Sequence, residues 1–197
     1  MAINLVKGQK INLTKDNPGL SNIMVGLGWD EANKGFFSLF SSGLGDIDCD
    51  ASAIILKNGK LVQKTKNIVY YGNLSYERGT IQHHGDNLTG AGKGDDEQIS
   101  IDLKRLAPDV SHVVIVVNIY RAKERHQNFG MIRNAFMRIV DEKKGEELYR
   151  YNLTEDYPNC TAVIFGELYR NNGEWKFNPI GQGTTDNSIS ELAKRYM

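Results

Sequence analysis

The chain has little of what marks several large protein classes. It has no excess charge of either sign: 24 Lys and Arg balance 24 Asp and Glu. General nucleic-acid binding draws on a basic excess, so no nucleic-acid partner is expected. Long apolar runs are missing too. The longest unbroken one, Val113 to Val117, falls far below the roughly 20 residues of a membrane-spanning helix. The opening MAINLVKGQK lacks an apolar core of signal-peptide length. The two cysteines, Cys49 and Cys160, fit no metal or redox spacing, and so few thiols suit a reducing compartment. These absences predict a cytoplasmic protein. Peripheral docking at the inner face of the membrane stays compatible with them.

What is present is globular. Apolar residues make up 40% and charged residues 24% of the 197. A chain of this length forms one domain, 1–197, and buries roughly 70% of its unfolded surface without staples. Strand signals dominate. Ile23 to Leu27 is apolar and runs into Gly28-Trp29-Asp30. Ile47 to Leu56 alternates and then becomes continuously apolar. Leu61-Val62 and Ile68 to Tyr71 continue the pattern, and Ile99, Ile101 and Leu103 stand at the period of a half-buried strand. His112 to Tyr120 is a β-branched run that predicts a central strand. Ala135–Val140, Leu148–Leu153, Ala162–Tyr169 and Glu174–Ile180 complete the series. Asn58-Gly59 and Asn172-Gly173 are tight-turn dipeptides, because both central residues need positive φ. Helical signals are few: a short helix with a loop over Ala122 to Met131, and a C-terminal helix from Ser188 to Tyr196 with Ser188 as N-cap. The expected fold is all-β, a two-sheet β-sandwich of eight to ten strands with a few short helices. Gly35 to Gly45 predicts a glycine- and serine-flanked insertion.

Acidic side chains gather in two places. In Gly45-Asp46-Ile47-Asp48-Cys49-Asp50, an extended backbone puts Asp46, Asp48 and Asp50 on one face, about 6.5–7 Å apart. Ile47 and Cys49 then face the core. Three carboxylates so placed repel one another unless a cation lies among them. The second run is Asp86-Asn87-Leu88-Thr89-Gly90-Ala91-Gly92-Lys93-Gly94-Asp95-Asp96-Glu97. Its glycines let the backbone turn tightly and aim carbonyls inward. Asp86, Asn87, Thr89, Asp95, Asp96 and Glu97 bring side-chain oxygens, while Gly90, Gly92 and Gly94 bring carbonyls. An all-oxygen set suits calcium, which takes six to eight oxygens at about 2.3–2.6 Å. Asp30, after the first strand, is a further candidate. Neither run is an EF-hand: from Asp46 the sixth and twelfth positions are Ala51 and Lys57. The glycine loop also lacks the Gly-Lys-Ser/Thr of a phosphate-binding loop.

At these residues the sequence resembles the TerD family of tellurium-resistance and general stress proteins. The likeness runs from Ile11-Asn12-Leu13-Thr14-Lys15 through Val25-Gly26-Leu27-Gly28-Trp29-Asp30, Asp48-Cys49-Asp50-Ala51-Ser52 and Gly85-Asp86-Asn87-Leu88-Thr89-Gly90. It continues in Gln127-Asn128-Phe129-Gly130, Gly166-Glu167-Leu168-Tyr169-Arg170 and Gly173-Glu174-Trp175-Lys176-Phe177. The resemblance implies a β-sandwich with two calcium ions near one end, a membrane-protein partner encoded alongside, and a role in defence against tellurite and related stresses. Its acidic motifs fall on Asp48, Asp50, Asp86, Asn87, Asp95, Asp96 and Glu97. Two features depart from it. Tyr120-Arg121 stands where many members carry an aspartate second, and the insertion Phe36 to Leu44 is longer than in many relatives.

The acidic loops, with no catalytic companions, predict a calcium-dependent interaction module. A metal-dependent hydrolase would use His83 or His84 beside Asp86, but adjacent strand residues face opposite sides, so at most one meets the loop. No Ser-His-Asp or Cys-His arrangement is present, and no enzyme is expected. Cys49, between two aspartates, is expected to pack in the core rather than react. Lys123, Arg125, His126 and Arg133 form a basic patch that suits a solvated face or, alternatively, a phosphate or lipid contact.

Overall fold

The computed structural model describes residues 2–31, 47–85 and 94–197. Among these, thirteen strands form two sheets. They are β1 (Ile3–Leu5), β2 (Ile11–Asn12), β3 (Asn22–Glu31), β4 (Cys49–Lys57), β5 (Ile68–Val69), β6 (Ser75–Tyr76) and β7 (Ile81–His83), then β8 (Glu97–Asp102), β9 (Val110–Ile119), β10 (Ile132–Asp141), β11 (Glu146–Asn152), β12 (Ala162–Asn171) and β13 (Glu174–Thr184). Sheet A runs β1-β11-β10-β3-β8-β7-β6 and sheet B runs β2-β13-β12-β9-β4-β5. The all-β two-sheet sandwich expected from the sequence is the fold observed.

The two sheets bury their outer faces differently. On β8 burial alternates strictly, with Ile99 and Ile101 inward and Gln98 and Ser100 outward. One face of sheet A is therefore solvated, as antiparallel sheets permit. The central strands of sheet B are buried on both faces. Val113, Ile115, Val117 and Ile119 of β9 enter the core between the sheets. Val114 and Val116 join Ile54 and Leu56 of β4 in a second cluster on the outer face. That cluster is capped by α2 (Ile189–Leu192) and the 3-10 turn Ala193–Tyr196, through Leu192 and Ala193. This is why β4 and β9 read as continuous apolar runs. Ser188 Oγ accepts from the Glu191 amide at 3.2 Å, so the C-terminal helix starts at its expected cap and then tightens after one turn.

Both Asn-Gly pairs turn as their chemistry requires: φ is +49° and +83° at Asn58-Gly59, and +53° and +79° at Asn172-Gly173. Two expectations change. Leu61-Val62 forms no strand; the Leu61 amide bonds to the Tyr196 carbonyl instead. Ala122 to Met131 forms turns and a 3-10 turn at Phe129–Met131, because positive φ at Arg121 and His126 interrupts any helix. A short helix, α1 (Leu13–Asp16), and the parallel pairing of β1 with β11 are additions. The insertion at 35–45 lies outside the described residues.

Candidate functional site

The first acidic group sits at the head of β4. Asp50 pairs in register with Asn118 of β9, and the Tyr120 amide donates to the Asp48 carbonyl at 2.7 Å, which carries the strand geometry back to residue 48. Asp50 lies on the outer face of sheet B, opposite Cys49 and Ala51, which are buried in the core. Asn118 Nδ2 is 3.4 Å from Asp50 Oδ2. The Tyr71 phenol is pushed above its ordinary pKa, first by burial and then by the charge of Asp50, Tyr120, Tyr70 and Asp48. The ladder bond at Asp48 continues the β4 register one step beyond Cys49, so Asp48 stands two residues from Asp50 along the strand. Asp46 lies outside the described residues.

The second acidic run opens β8. Its three consecutive acids turn three ways. Asp95 folds onto the outer face of sheet A, where Arg138 of β10 grips both oxygens, Nε to Oδ1 at 2.6 Å and Nη2 to Oδ2 at 2.8 Å. Gln98 Nε2 donates to the same Oδ2 at 3.0 Å. The carboxylate lies so close over Gly26 that a Cβ there would strike it. Gly28, next along the outward face of β3, is in the same way closed off by the Phe136 ring and the Gly94 carbonyl. Asp96 accepts the Trp29 amide at 2.8 Å and sends its own amide to Leu27, stitching the loop exit to β3. Glu97 points between the sheets, where its Oε2 lies 2.7 Å from His83 Nε2, both side chains almost wholly buried. The pair is close but poorly directed for a hydrogen bond. His83 Nδ1 accepts the Gly85 amide at 3.1 Å. His84 faces the other way, to Ser100.

Thus both ends of the glycine loop are tied to sheet A, through Gly85 on entry and Asp95, Asp96 and Glu97 on exit. Asp86, Asn87, Thr89, Gly90 and Gly92 lie outside the described residues. Among the described residues no three of His, Cys, Asp and Glu converge. Asp30 is exposed on the outer side of β3 and accepts from Asn134 Nδ2 at 2.8 Å, apart from this stitching. Arg121 leans over the Tyr120 ring at 5.7 Å and pairs with Glu124 at 3.1 Å. In the basic patch, Arg133 is paired with Asp156 at 3.2 Å.

Sequence reasoning missed Arg138, whose partner is 43 positions away. The network extends from there: Arg138 Nη1 reaches Glu147 at 3.2 Å, Arg150 holds the same carboxylate at 2.7 and 2.9 Å, and Arg150 stacks on Phe136 at 4.3 Å. Arg150 and Arg138 hold the Glu147 carboxyl below the usual range, and Asp95 raises the Arg138 guanidinium further.

The protein is a two-sheet β-sandwich with buried, bonded carboxylates where the chain enters β8 of sheet A and an Asp-x-Asp pair at the head of β4 in sheet B. The comparisons give it a family. The TerD domain model matches residues 1–196, and the chain belongs to the TerD family. It is 51% identical over 200 residues to stress response protein SCP2 of Bacillus subtilis (strain 168), covering all of both chains. It is 42% identical to tellurium resistance protein TerD of Serratia marcescens, over 98% of this chain and 97% of that one. A crystal structure of a homologue of telluride resistance protein (TerD) from Streptomyces coelicolor A3(2) shares the fold with a TM-score of 0.68 at 22% identity, over 91% and 99% of the two chains. Stress response and tellurium or chemical resistance are the setting of this family. Among the described residues no helix is long and apolar enough to cross a membrane.

Proposed function

We propose that the chain is a calcium-binding stress-response protein, that the ions order its two acidic loops into a docking surface for a partner at the membrane, and that it performs no catalysis. The observation that carries this is the sorting of donor atoms at the loop ends. The residue types at both loops are oxygen donors, while the neighbouring soft donors are withdrawn: His83 Nδ1 takes the Gly85 amide, and Cys49 is in the core. Oxygen donors favour a hard cation over zinc or copper. Asp48 and Asp50, with Asp46 by spacing, would hold one ion. Asp96, with Asp86, Asn87, Thr89 and the carbonyls of Gly90 and Gly92, would hold the second. Asp95, Glu97, Gly94 and Asp30 are left out of this set: Asp95 is gripped by Arg138, Glu97 turns between the sheets to His83, Gly94 turns its carbonyl to Gly28, and Asp30 bonds Asn134. Bound calcium would neutralise carboxylates that otherwise repel and fix the loop between its ties.

Titration calorimetry on chelator-stripped protein tests this, with calcium and magnesium compared and melting followed in parallel. Calcium is expected to bind the more tightly and to raise the melting temperature, since a ligand of the native state stabilises by mass action. Equal, weak affinity for both ions with an unchanged melting point would refute it.

A further inference from the structure

Two Asn-Gly pairs make turns at the same end of sheet B. Asn58-Gly59 follows β4, and Asn172-Gly173 joins β12 to β13. At that end His112 of β9 pairs with Leu56 of β4 and Tyr169 of β12, while Asp50 pairs at the far end of β9. The two turns share their backbone. φ is positive at both residues of each, +49° and +83° in the first and +53° and +79° in the second. Both asparagines and both glycines are exposed.

The turns differ in what holds the glycine amide. In the first, Gly59 donates to Ser111 Oγ at 2.7 Å, and the Asn58 amide donates to the Asp109 carbonyl at 2.9 Å. Ser111 Oγ is itself fixed by donating to the Leu56 carbonyl at 3.2 Å. In the second, the Gly173 amide meets no acceptor among the described residues.

This difference bears on a reaction that Asn-Gly pairs undergo without any enzyme. Glycine puts no side chain in the way of its own nitrogen. Hydroxide removes the proton of the glycine amide, and the nitrogen bonds to the asparagine Cγ. The Cγ–Nδ2 bond breaks and ammonia leaves. Water then opens the cyclic imide at either carbonyl, giving aspartate or isoaspartate. The step needs a glycine N–H that is open to water and free to tilt toward Cγ. An N–H held by a hydroxyl has to give up that bond first.

We propose that Asn172-Gly173 is a site of spontaneous deamidation in the folded protein, and that Ser111 protects Asn58-Gly59 from the same reaction. Isoaspartate at position 172 inserts a methylene into the backbone of a tight hairpin loop. The change falls beside the register pair Asn171 and Glu174, one step from Arg170 and Trp175, where the guanidinium lies 4.7 Å from the Trp175 ring. The site stands apart from both acidic runs and does not rest on the calcium reading.

The full chain, folded and aged at mildly alkaline pH, is mapped by proteolysis and mass spectrometry. Isoaspartate is read by methyl transfer from S-adenosylmethionine with an isoaspartyl methyltransferase. Asn172 is expected to convert at least about fivefold faster than Asn58, the factor for giving up one hydrogen bond of ordinary net strength. The same chain in urea gives the intrinsic preference of the two pairs, and there the ratio is expected to fall toward unity. This comparison carries the test without any substitution. Ser111→Ala, checked for an unchanged melting profile, is expected to bring Asn58 up toward the rate of Asn172. Ser111→Thr, which keeps the hydroxyl, is expected to leave it slow. Asn172→Gln is expected to lose most of the methyl acceptance. Equal rates for the two pairs in the folded chain overturn the proposal, as does full methyl acceptance in Asn172→Gln. A slow Asn58 in folded Ser111→Ala overturns the protecting role of Ser111.

Discussion

Consider Arg138→Met. The arginine lies across the glycine stripe of β3 and grips both oxygens of Asp95, whose side chain is wholly buried, while its own is 26% exposed. Methionine keeps much of the stem and removes the charge. Asp95 would then be a buried anion with Gln98 as its remaining side-chain donor in the described set. Breaking a buried ion pair by removing one partner costs about 3–5 kcal/mol. Arg138 is partly open to water, so screening lowers the figure to about 2–3 kcal/mol. Asp95→Asn is milder. It keeps the shape over Gly26, leaves no buried charge and lets Arg138 stay with Glu147, for about 1 kcal/mol. In the double variant neither charge is stranded. Urea denaturation of the four chains closes a cycle, and a coupling of at least about 1 kcal/mol is expected. Additivity within about 0.5 kcal/mol would show that the pair contributes no specific energy, and the anchoring of the loop exit by Arg138 would be wrong.

Gly26→Ala places a methyl into the Asp95 carboxylate. It should destabilise by about 1–3 kcal/mol, as overpacking does, and Asp95→Ala in the same chain should recover part of the loss in a melting assay. An unaltered melting point for Gly26→Ala would mean the carboxylate is not held there. Glu147 tests the electrostatics by pH. Arg150 and Arg138 hold its carboxyl below the ordinary range, so its contribution is present above about pH 4.3 and disappears as pH falls through the folded value. The stability gap between the unmodified chain and Glu147→Gln, read from urea midpoints, should shrink between about pH 5 and pH 3. A gap that stays constant with pH argues against the ion pairs.

Much of the fold was legible because local rules and packing agree. The β-branched run of β9 became a central strand, the alternation of Ile99 and Ile101 became a half-buried one, and both Asn-Gly pairs became turns. Where the rules failed, a longer-range partner decided. Ile3–Leu5 has no periodicity of its own and is a strand because β11 offers an unpaired edge in parallel. Leu61 is apolar and buried, yet it packs beneath the C-terminal turn, and its amide is taken by Tyr196 rather than by a neighbouring strand.

The candidate site divides along the same line. Asp50 lies in β4 and Asp48 directly before it in a continuing ladder bond, so a period of two applies there, and Asp50 stands on the outer side of sheet B. Asp95, Asp96 and Glu97 lie at a strand start, where parity breaks. Carried back from Ile101 and Ile99, a period of two puts Glu97 inward, as observed, and would put Asp95 inward as well. The chain departs from that register at Gly94, with φ of +144°, and Asp96 bonds the β3 backbone, so Asp95 swings to the outer face instead. Composition counts the three carboxylates as one donor set, but the backbone separates them. One becomes half of an ion pair, one ties two strands together, and one meets a buried histidine. Charge density in a sequence therefore marks where acids gather, while the partner each one meets is decided by one irregular turn and by residues, such as Arg138, that no local window contains.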